Sequence, residues 1–391
     1  MKRNNKQKFT RLFSILIVTL ALMLTGMAQN TLTVVERSKA LAVFGKVIWR
    51  NQPEPITIDG IDQTSRLITQ TDTNTIRLHF NVTGTFLPGT WALRILNTAN
   101  NVVWSYQSEI GDKTQFWSTE IVGNQAKVEV LSTRRENKIT VLVDAVAVTT
   151  ASSIPQSTTP PRDQMIEINN EIVQRRDWGK SVARLRFIGD DGKLYFCSGF
   201  LISANLLMTN EHCPDSENEW RSTLVDFDFD VPNTRPRPEN VSQFKDFVLS
   251  HRPLDFSIFR LKFTPPGRVP LVLDTSVPSP NKDLLLIQHP GGKSKRISVI
   301  DCKAVAPPQG LSPRSASDFF HLCDTEGGSS GSGVIDPATG KVVGLHHLGW
   351  DTEQMPLPPD SHQLNQAVLM RDIINFIKTN RPDIAAEIGI Q

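Results

Sequence analysis

Short β-forming runs dominate this sequence, and they constrain its fold more than any other feature. Stretches rich in Val, Ile, Thr and aromatic residues alternate with Gly, Pro and Asn turns, as in "TIRLHFNV", "KITVLVDAVAV", "LYFCSGFLI" and "KVVGLHHLGW". Regularly spaced short strands are typical of antiparallel sandwiches and barrels. A single helical pattern stands near the end, at residues 371–379. We therefore predict an all-β protein.

The length of 391 residues suggests two domains. Residues 149–164, "TTASSIPQSTTPPRDQ", are rich in Ser, Thr and Pro, which is typical of a linker. The prediction is a β-sandwich at residues 29–148, this linker, and a second β domain at residues 165–391. In the sandwich, Trp91, Trp104 and Trp117 are expected to fill the core rather than to form a ligand platform.

Residues 1–28 have the order of a secretory signal peptide: basic residues, an apolar run from residue 12 to about 24, and small residues at Gly26 and Ala28. An uncleaved membrane anchor is the alternative, although the apolar run is short for a full span. No later segment is long and apolar enough to cross a bilayer. We predict a secreted or periplasmic protein that leaves the membrane after cleavage, in a compartment where disulfides form.

The charge balance and the cysteine spacing indicate which classes of partner and bound metal the sequence favours. The 42 Lys and Arg nearly balance the 40 Asp and Glu, so nothing favours nucleic acid, and a protein or peptide partner is expected. The oligomeric state stays open. The four cysteines lack the C-x-x-C spacing of zinc sites, and their neighbourhoods favour pairing Cys197 with Cys213 and Cys302 with Cys323. Free structural thiols are the alternative.

Two residues have chemistry suited to acid–base work. His212, in "TNEHC", follows a hydrophobic strand, and an imidazole has the near-neutral pKa of a general base. Asp255, in "LDFSIFRL", stands at the entrance to an alternating strand, where its carboxylate could fix the tautomer of a histidine. Asp246 and Asp228 are the alternative carboxylates.

The Gly- and Ser-rich stretch "GSSGSGV", residues 328–334, resembles the G-x-S-G-[GS]-P nucleophile loop of chymotrypsin-fold serine proteases. "TNEHC" is similar to their T-A-x-H-C box and "LDFSIFRL" to their D-[IV]-A-L-L-[KR]-L segment. The order His, Asp, Ser is also that of the family. The resemblance covers residues 181–376 and implies two β-barrels with a C-terminal helix. It also implies peptide-bond hydrolysis through an acyl-enzyme, with no metal or other cofactor.

The resemblance assigns a role to each motif residue. Ser330 is the nucleophile, His212 the general base, and Asp255 the group that stabilises the imidazolium. The backbone amides of Gly328 and Ser330 form the oxyanion hole.

Two departures point to one branch of the family. Ser329 stands where digestive members carry an Asp that pairs with a newly freed amino terminus, and no R-[IV]-[IV]-G-G cleavage sequence is present. Gly333 replaces the usual Pro. These features resemble the bacterial trypsin-like and glutamyl endopeptidase branch.

The specificity clues conflict. "GLHHLG" resembles the G-[IL]-H segment of glutamyl endopeptidases, where His346, as a protonated imidazole, and the Thr325 hydroxyl would bind an acidic side chain. Asp324 instead matches the carboxylate with which trypsin-type enzymes bind Arg or Lys. An exposed strand edge is expected to pair with the extended substrate. Its residues are His347, Leu348 and Gly349.

Other functions stay open. The sandwich is either a binding or targeting module or an inhibitory pro-region, with Arg175 and Arg176 as a processing site or simply part of a surface loop. The chain as a whole is alternatively an inactive protease-fold module for binding or adhesion. Glu211 keeps that reading open, because a carboxylate turned inward would disturb His212. An esterase activity is a weaker alternative.

Overall fold

The computed structural model describes residues 42–107, 114–149, 163–232, 234–307, 312–349 and 364–390. The predicted signal peptide and nearly all of the predicted linker lie outside these ranges. The strands are β1 (Ala42–Trp49), β2 (Ile56–Asp59), β3 (Asp62–Thr69), β4 (Thr75–Thr85), β5 (Trp91–Leu96), β6 (Val102–Gln107), β7 (Gln115–Trp117), β8 (Ile121–Val122), β9 (Gln125–Ser132), β10 (Lys138–Thr149), β11 (Ile166–Glu167), β12 (Val182–Ile188), β13 (Lys193–Leu201), β14 (Leu206–Thr209), β15 (Leu224–Asp226), β16 (Val241–His251), β17 (Phe256–Leu261), β18 (Leu285–Gln288), β19 (Arg296–Ser298), β20 (Ala304–Val305), β21 (Asp318–His321), β22 (Gly333–Asp336), β23 (Lys341–Gly349) and β24 (Asn365–Leu369). The helices are α1 (Val173–Gly179), α2 (Glu217–Ser222), α3 (Met370–Asn380) and α4 (Pro382–Glu387), with 3₁₀ turns at Ile168–Asn170, Pro238–Asn240, Arg252–Leu254 and Pro290–Gly292.

The first ten strands build the predicted β-sandwich. One sheet has the order β3-β9-β5-β6, and β10, β4 and β7 belong to the other. Alternate side chains of both sheets meet in one core, among them Phe80, Leu93 and Val130. Trp91 is buried in that core, and Trp104 packs against its side. These tryptophans fill space, as the alternation of short strands predicts.

The remaining strands form two barrels. Strands β12-β15-β16-β17-β14-β13 make a six-stranded barrel that the pairing of β12 with β13 closes. The order β11-β19-β18-β22-β23-β24-β21-β20 makes a second, open half-barrel. Helix α3 packs the apolar face that carries Ile373, Ile374 and Ile377 onto the core. The predicted all-β, chymotrypsin-like two-barrel fold with a C-terminal helix is therefore confirmed.

Three short helices go beyond the sequence prediction. Helix α2 has a side-chain N-cap, because the Ser216 hydroxyl accepts a hydrogen bond from the Glu219 amide at 3.2 Å. Arg175 and Arg176 lie in α1, where Arg175 pairs with Glu171 at 2.9 Å, so the basic pair is helical and not part of a loop. Among the residues described, no helix is long and apolar enough to span a membrane.

The sandwich and the closed barrel share one sheet. Strand β1 pairs with β10 of the sandwich on one side and with β13 of the barrel on the other. The rings of Phe44 and Phe196 stack across the β1–β13 junction with centroids 3.9 Å apart. The backbone hydrogen bonds therefore continue from one domain into the other.

A buried cluster of charges lies at the same junction. Asp226 in the barrel accepts hydrogen bonds from Arg184 (2.9 Å) and from Arg186 (2.6 and 2.9 Å). Arg186 also reaches Glu120 of the sandwich at 2.5 Å. Arg77 of the sandwich donates to a backbone carbonyl of the barrel at 2.6 Å. Polar contacts thus reinforce the shared sheet.

Candidate active site

His212 and Asp255 lie at the same end of two paired strands. Strand β14 ends at Thr209, which is opposite Ser257 of β17, so the residues just beyond these ends are neighbours. The His212 Nδ1 lies 2.8 Å from Asp255 Oδ2, and the His212 amide donates to Asp255 Oδ1 at 3.1 Å. Asp255 adopts a left-handed backbone conformation, with φ 44° and ψ 49°, which turns the chain from a 3₁₀ turn into β17.

The surroundings of Asp255 favour the ionised form of its carboxylate. Burial alone would raise the pKa of Asp255, but the charge and hydrogen bonds of His212, together with those of His347, hold this pKa well below its usual range. An ionised Asp255 that accepts from His212 Nδ1 leaves Nε2 as the basic nitrogen of the neutral ring.

The alternative carboxylates point elsewhere. Asp228 binds Arg268 at 2.5 Å, and Asp246 lies opposite Arg260 in the β16–β17 register. The Glu211 carboxylate lies 3.9 Å from the Arg252 guanidinium. Asp255 is therefore the carboxylate that orients His212.

Ser330 lies in a tight loop against the barrel that carries His212. The Ser330 carbonyl accepts from the Ser198 amide at 2.8 Å. Gly331 follows with φ +89°, and a Cβ there would lie 2.1 Å from the Ser198 carbonyl and 2.3 Å from Thr209 Oγ1. Only glycine permits this approach.

Both predicted disulfides are confirmed and flank this site. Cys197 of β13 bonds to Cys213, the residue after His212, and the Cys213 sulfur lies 3.9 Å from the Ser330 carbonyl. The second disulfide joins Cys302 to Cys323 at the start of the loop that leads to Ser330. One disulfide thus anchors the segment with the imidazole and the other the serine loop.

The N–H groups of Gly328 and Ser330 point away from the hydrogen bonds that the preceding carbonyls, those of Gly327 and Ser329, accept. The Gly327 carbonyl accepts from the Gly291 amide at 2.7 Å, and the Ser329 carbonyl accepts from a later turn amide at 3.1 Å. In a trans peptide the N–H and the preceding C=O point in opposite directions. In the part of the chain that the structure describes, neither amide donates a hydrogen bond to the protein.

A pair of buried histidines lies behind the predicted specificity pocket. His346 Nδ1 is 3.2 Å from His321 Nε2, and His321 Nδ1 accepts from the Cys323 amide at 3.3 Å. His321 therefore donates through Nε2, and the His346 proton is on Nε2. Burial lowers the pKa of His321 to about 3 and that of His346 well below its usual value. Burial therefore disfavours the protonated form of His346 that the resemblance implies, because the low-dielectric interior disfavours the charge.

The other two pocket candidates already have partners in the chain. Asp324 Oδ2 accepts from the Gln164 amide at 3.0 Å. The Thr325 hydroxyl donates to the Asn365 side-chain oxygen at 3.0 Å. Asp324 thus holds the start of the second domain in place.

His347 does not form the exposed edge that the sequence predicts. A bulge between His346 and Leu348 in the β23–β24 ladder turns both histidines inward, since a bulge places two consecutive residues against one partner. His347 is 3 % exposed and contacts Asp255, whereas Leu348 is half-buried and Gly349 exposed. The exposed edge therefore starts after His347.

Comparison with known proteins adds family information. Residues 197–345 match the family described as "Trypsin-like peptidase domain". "Uncharacterized protein y4fB" of Sinorhizobium fredii is 31 % identical over 173 residues, covering 40 % of this chain and 26 % of that protein. "Secreted RxLR effector protein 73" of Plasmopara viticola is 27 % identical over 167 residues, covering 40 % and 42 %. The chain thus spans less than half the length of either relative.

Structural likeness is partial as well. The crystal structure of a scabies mite inactivated protease paralogue has 12 % identity and a TM-score of 0.41, covering 53 % of this chain and 96 % of that one. The strand order of the closed barrel and half-barrel, not this likeness, defines the architecture. Together with the family match at residues 197–345, it shows that this chain contains a domain with the trypsin-like protease fold.

Proposed function

We propose that this protein is a serine endopeptidase that hydrolyses peptide bonds through an acyl-enzyme. The observation that carries the proposal is the buried His212–Asp255 pair beside a loop whose Gly328 and Ser330 amides donate to nothing else in the described chain. A base and a pair of oxyanion donors are the two parts that acyl transfer to a serine requires.

The proposed mechanism uses only these groups. The Ser330 hydroxyl attacks the substrate carbonyl while His212 Nε2 accepts its proton, and Asp255 stabilises the imidazolium through Nδ1–H. The two amides bind the oxyanion. His212 then gives the proton to the leaving amine, and a water molecule, activated by the same imidazole, hydrolyses the ester to Ser330. An extended substrate would pair with the edge at Leu348 and Gly349.

We propose that the enzyme acts outside the cytoplasm and prefers acidic residues before the scissile bond. The two disulfides support an oxidising compartment. Two contacts favour acidic over basic specificity. The neutral His346 ring carries its proton on Nε2, a donor suited to a carboxylate, while Asp324 already accepts the Gln164 amide.

A fluorophosphonate probe tests the nucleophile and a cleavage profile tests the pocket. We expect the probe to label wild-type protein at Ser330, and peptide mapping to find no label in Ser330→Ala. Ser332→Ala, the matched change in the same loop, should keep the label. On a denatured proteome, cleavage after Glu or Asp supports His346 as the residue that binds the substrate side chain. Cleavage after Arg or Lys would assign that role to Asp324. An unlabelled wild-type protein would make the inactive binding module the better explanation.

We further propose that the sandwich is a permanent accessory domain and not a removable pro-region. The support is the β1–β13 pairing and the Glu120–Arg186 contact at 2.5 Å. If a specific protease site is inserted within residues 150–162 and cut, both fragments should elute together on size exclusion yet separate on a denaturing gel. Separate native peaks would contradict this proposal and revive the pro-region.

A further inference from the structure

We propose that His347 is a positioning residue: a buried imidazolium that binds the Asp255 carboxylate opposite His212 and thereby sets the pH at which His212 acts as a base. The proposal deepens the proposed peptidase function and rests on it. Within the site, His347 touches Asp255 and not the reacting atoms, so it would act through another residue.

Each ring nitrogen of His347 lies near a buried carboxylate. His347 Nδ1 lies 3.1 Å from Asp255 Oδ2, the oxygen that also contacts His212, and Nε2 lies 3.4 Å from Asp318 Oδ2. All three side chains, those of His347, Asp255 and Asp318, are 2 % exposed. A neutral imidazole donates through one nitrogen only, whereas the doubly protonated ring donates through both. The two buried carboxylates beside the His347 ring therefore favour its cationic form.

The surrounding charges agree with this state. Burial would lower the pKa of His347, but hydrogen bonds and charges from Asp255 and Asp318 raise it to about 9. Arg314 Nη1 also faces the pair, at 3.7 Å from Asp255 Oδ2 and 3.4 Å from His347 Nδ1. Burial favours the neutral forms of the nearby His321 and His346 by lowering the pKa of each. Two cations thus balance two carboxylates before His212 takes up a proton.

This balance affects catalysis through Asp255. When His212 accepts the Ser330 proton, the new imidazolium depends on the negative charge of Asp255 for stabilisation. His347 offsets part of that charge. Without the cation, the field of Asp255 would keep His212 protonated to higher pH, and a protonated imidazole cannot act as a base. The His347 charge therefore keeps His212 usable at lower pH.

The test is the pH dependence of Ser330 labelling in the full-length protein with a fluorophosphonate probe. His347→Asn keeps an amide donor for Asp255 and removes the charge. We expect the midpoint of the acidic limb of the labelling rate to rise by about one pH unit, the size of effect that a charge at this distance has. A structural role alone would lower the plateau and leave the midpoint in place.

The Asp318→Asn variant should shift the midpoint of the acidic limb in the opposite direction. His347 keeps its contact with Asp255, but one anion is gone, so the acidic midpoint should fall below that of the wild type. The matched control is His79→Asn, because His79 Nδ1 contacts Asp144 at 2.6 Å in the sandwich, far along the chain from the site. This variant should reproduce the wild-type midpoint.

Stability supplies a measurement that is independent of activity. A His whose folded pKa is about 9, against an ordinary 6.5, adds stability that is complete below pH 6.5 and is lost as the pH rises through about 9. The difference in denaturation midpoint between wild type and His347→Asn should therefore be largest below pH 6.5 and shrink towards pH 9.

The outcomes separate the two proposals. An unlabelled wild type contradicts the peptidase function itself. A labelled wild type whose acidic midpoint is shared by His347→Asn overturns the His347 inference and leaves the function standing, as does a rise of equal size in both site variants. If His347→Asn does not fold, Asp318→Asn decides, because a midpoint at or above that of wild type overturns the inference.

Discussion

Replacing Asp255 by Asn is expected to lower the rates of Ser330 labelling and peptide hydrolysis by about 10⁴-fold. Asp255 accepts from His212 Nδ1 at 2.8 Å and so keeps the basic lone pair on Nε2. An Asn side chain can turn its NH₂ group to Nδ1 instead. That contact stabilises the tautomer with the proton already on Nε2, which then cannot receive the proton of Ser330.

The experiment compares second-order labelling rates at one pH, with circular dichroism to confirm that the variant is folded. Asp246→Asn is the matched control, since Asp246 is an exposed residue of β16 that lies opposite Arg260 of β17. The labelling rate of this variant should equal that of wild type. A rate for Asp255→Asn within tenfold of wild type would show that another group sets the tautomer of His212. The acidic loss of activity should not come from Asp255, because its pKa lies well below the usual range.

Replacing Asp226 by Asn is expected to cost about 3–5 kcal/mol of unfolding free energy, the usual effect of removing one partner of a buried ion pair. Asp226 is fully buried and accepts from both Arg184 and Arg186. Without it, the Glu120 carboxylate alone faces Arg186, and a guanidinium cannot lose its proton to avoid the desolvation cost.

The stability that Asp226 contributes is expected to decrease in acid. Burial would raise the pKa of Asp226, but Arg186 and Arg184 lower it to about 2. A lowered pKa contributes stability that is present above the ordinary value of about 3.9 and is lost as the pH falls through about 2. The advantage of wild type over Asp226→Asn should therefore be full at pH 7 and shrink in that acidic range.

Urea unfolding at pH 7 measures the cost, and a series of unfolding curves from pH 7 down to about pH 2 measures its pH dependence. Asp177→Asn is the control, because Asp177 and Lys180 form an exposed pair that should contribute less than about 1 kcal/mol. A cost below about 1 kcal/mol for Asp226→Asn would mean that water or a rearranged side chain compensates the two arginines, so that the junction is less closely packed than the structure indicates.

Local patterns predicted the fold class, which depends on short stretches, and they also selected His212 and Asp255, which the structure brings into contact. Alternating apolar residues define strands, and the His212, Asp255 and Ser330 motifs are each contained within a few neighbouring positions. Helix α2 was not predicted, although Ser216 followed three residues later by Glu219 is a local signal for the start of a helix.

Contacts between residues far apart along the chain have no local sequence pattern that predicts them. The partner of His346 is His321, 25 residues away along the chain, and only strand pairing brings them together. The inward turn of His347 depends on a bulge in β23, and the sequence of the strand does not show where its register shifts. The protonation state of His346 followed from burial, which the sequence gives no means to measure at a single position.

The pairing of β1 with β13 covers part of one edge of the barrel sheet. On one edge of β13, strand β14 pairs only with residues 200–201, and β1 covers residues 193–196. A fragment that begins at residue 165 would expose this edge, with Phe196 beside it. Open edges recruit strands from other molecules and lead to aggregation. Strand β1 thus protects this edge of β13 from pairing with other molecules. We expect the smallest fragment that does not aggregate to retain β1 and the sandwich that holds it.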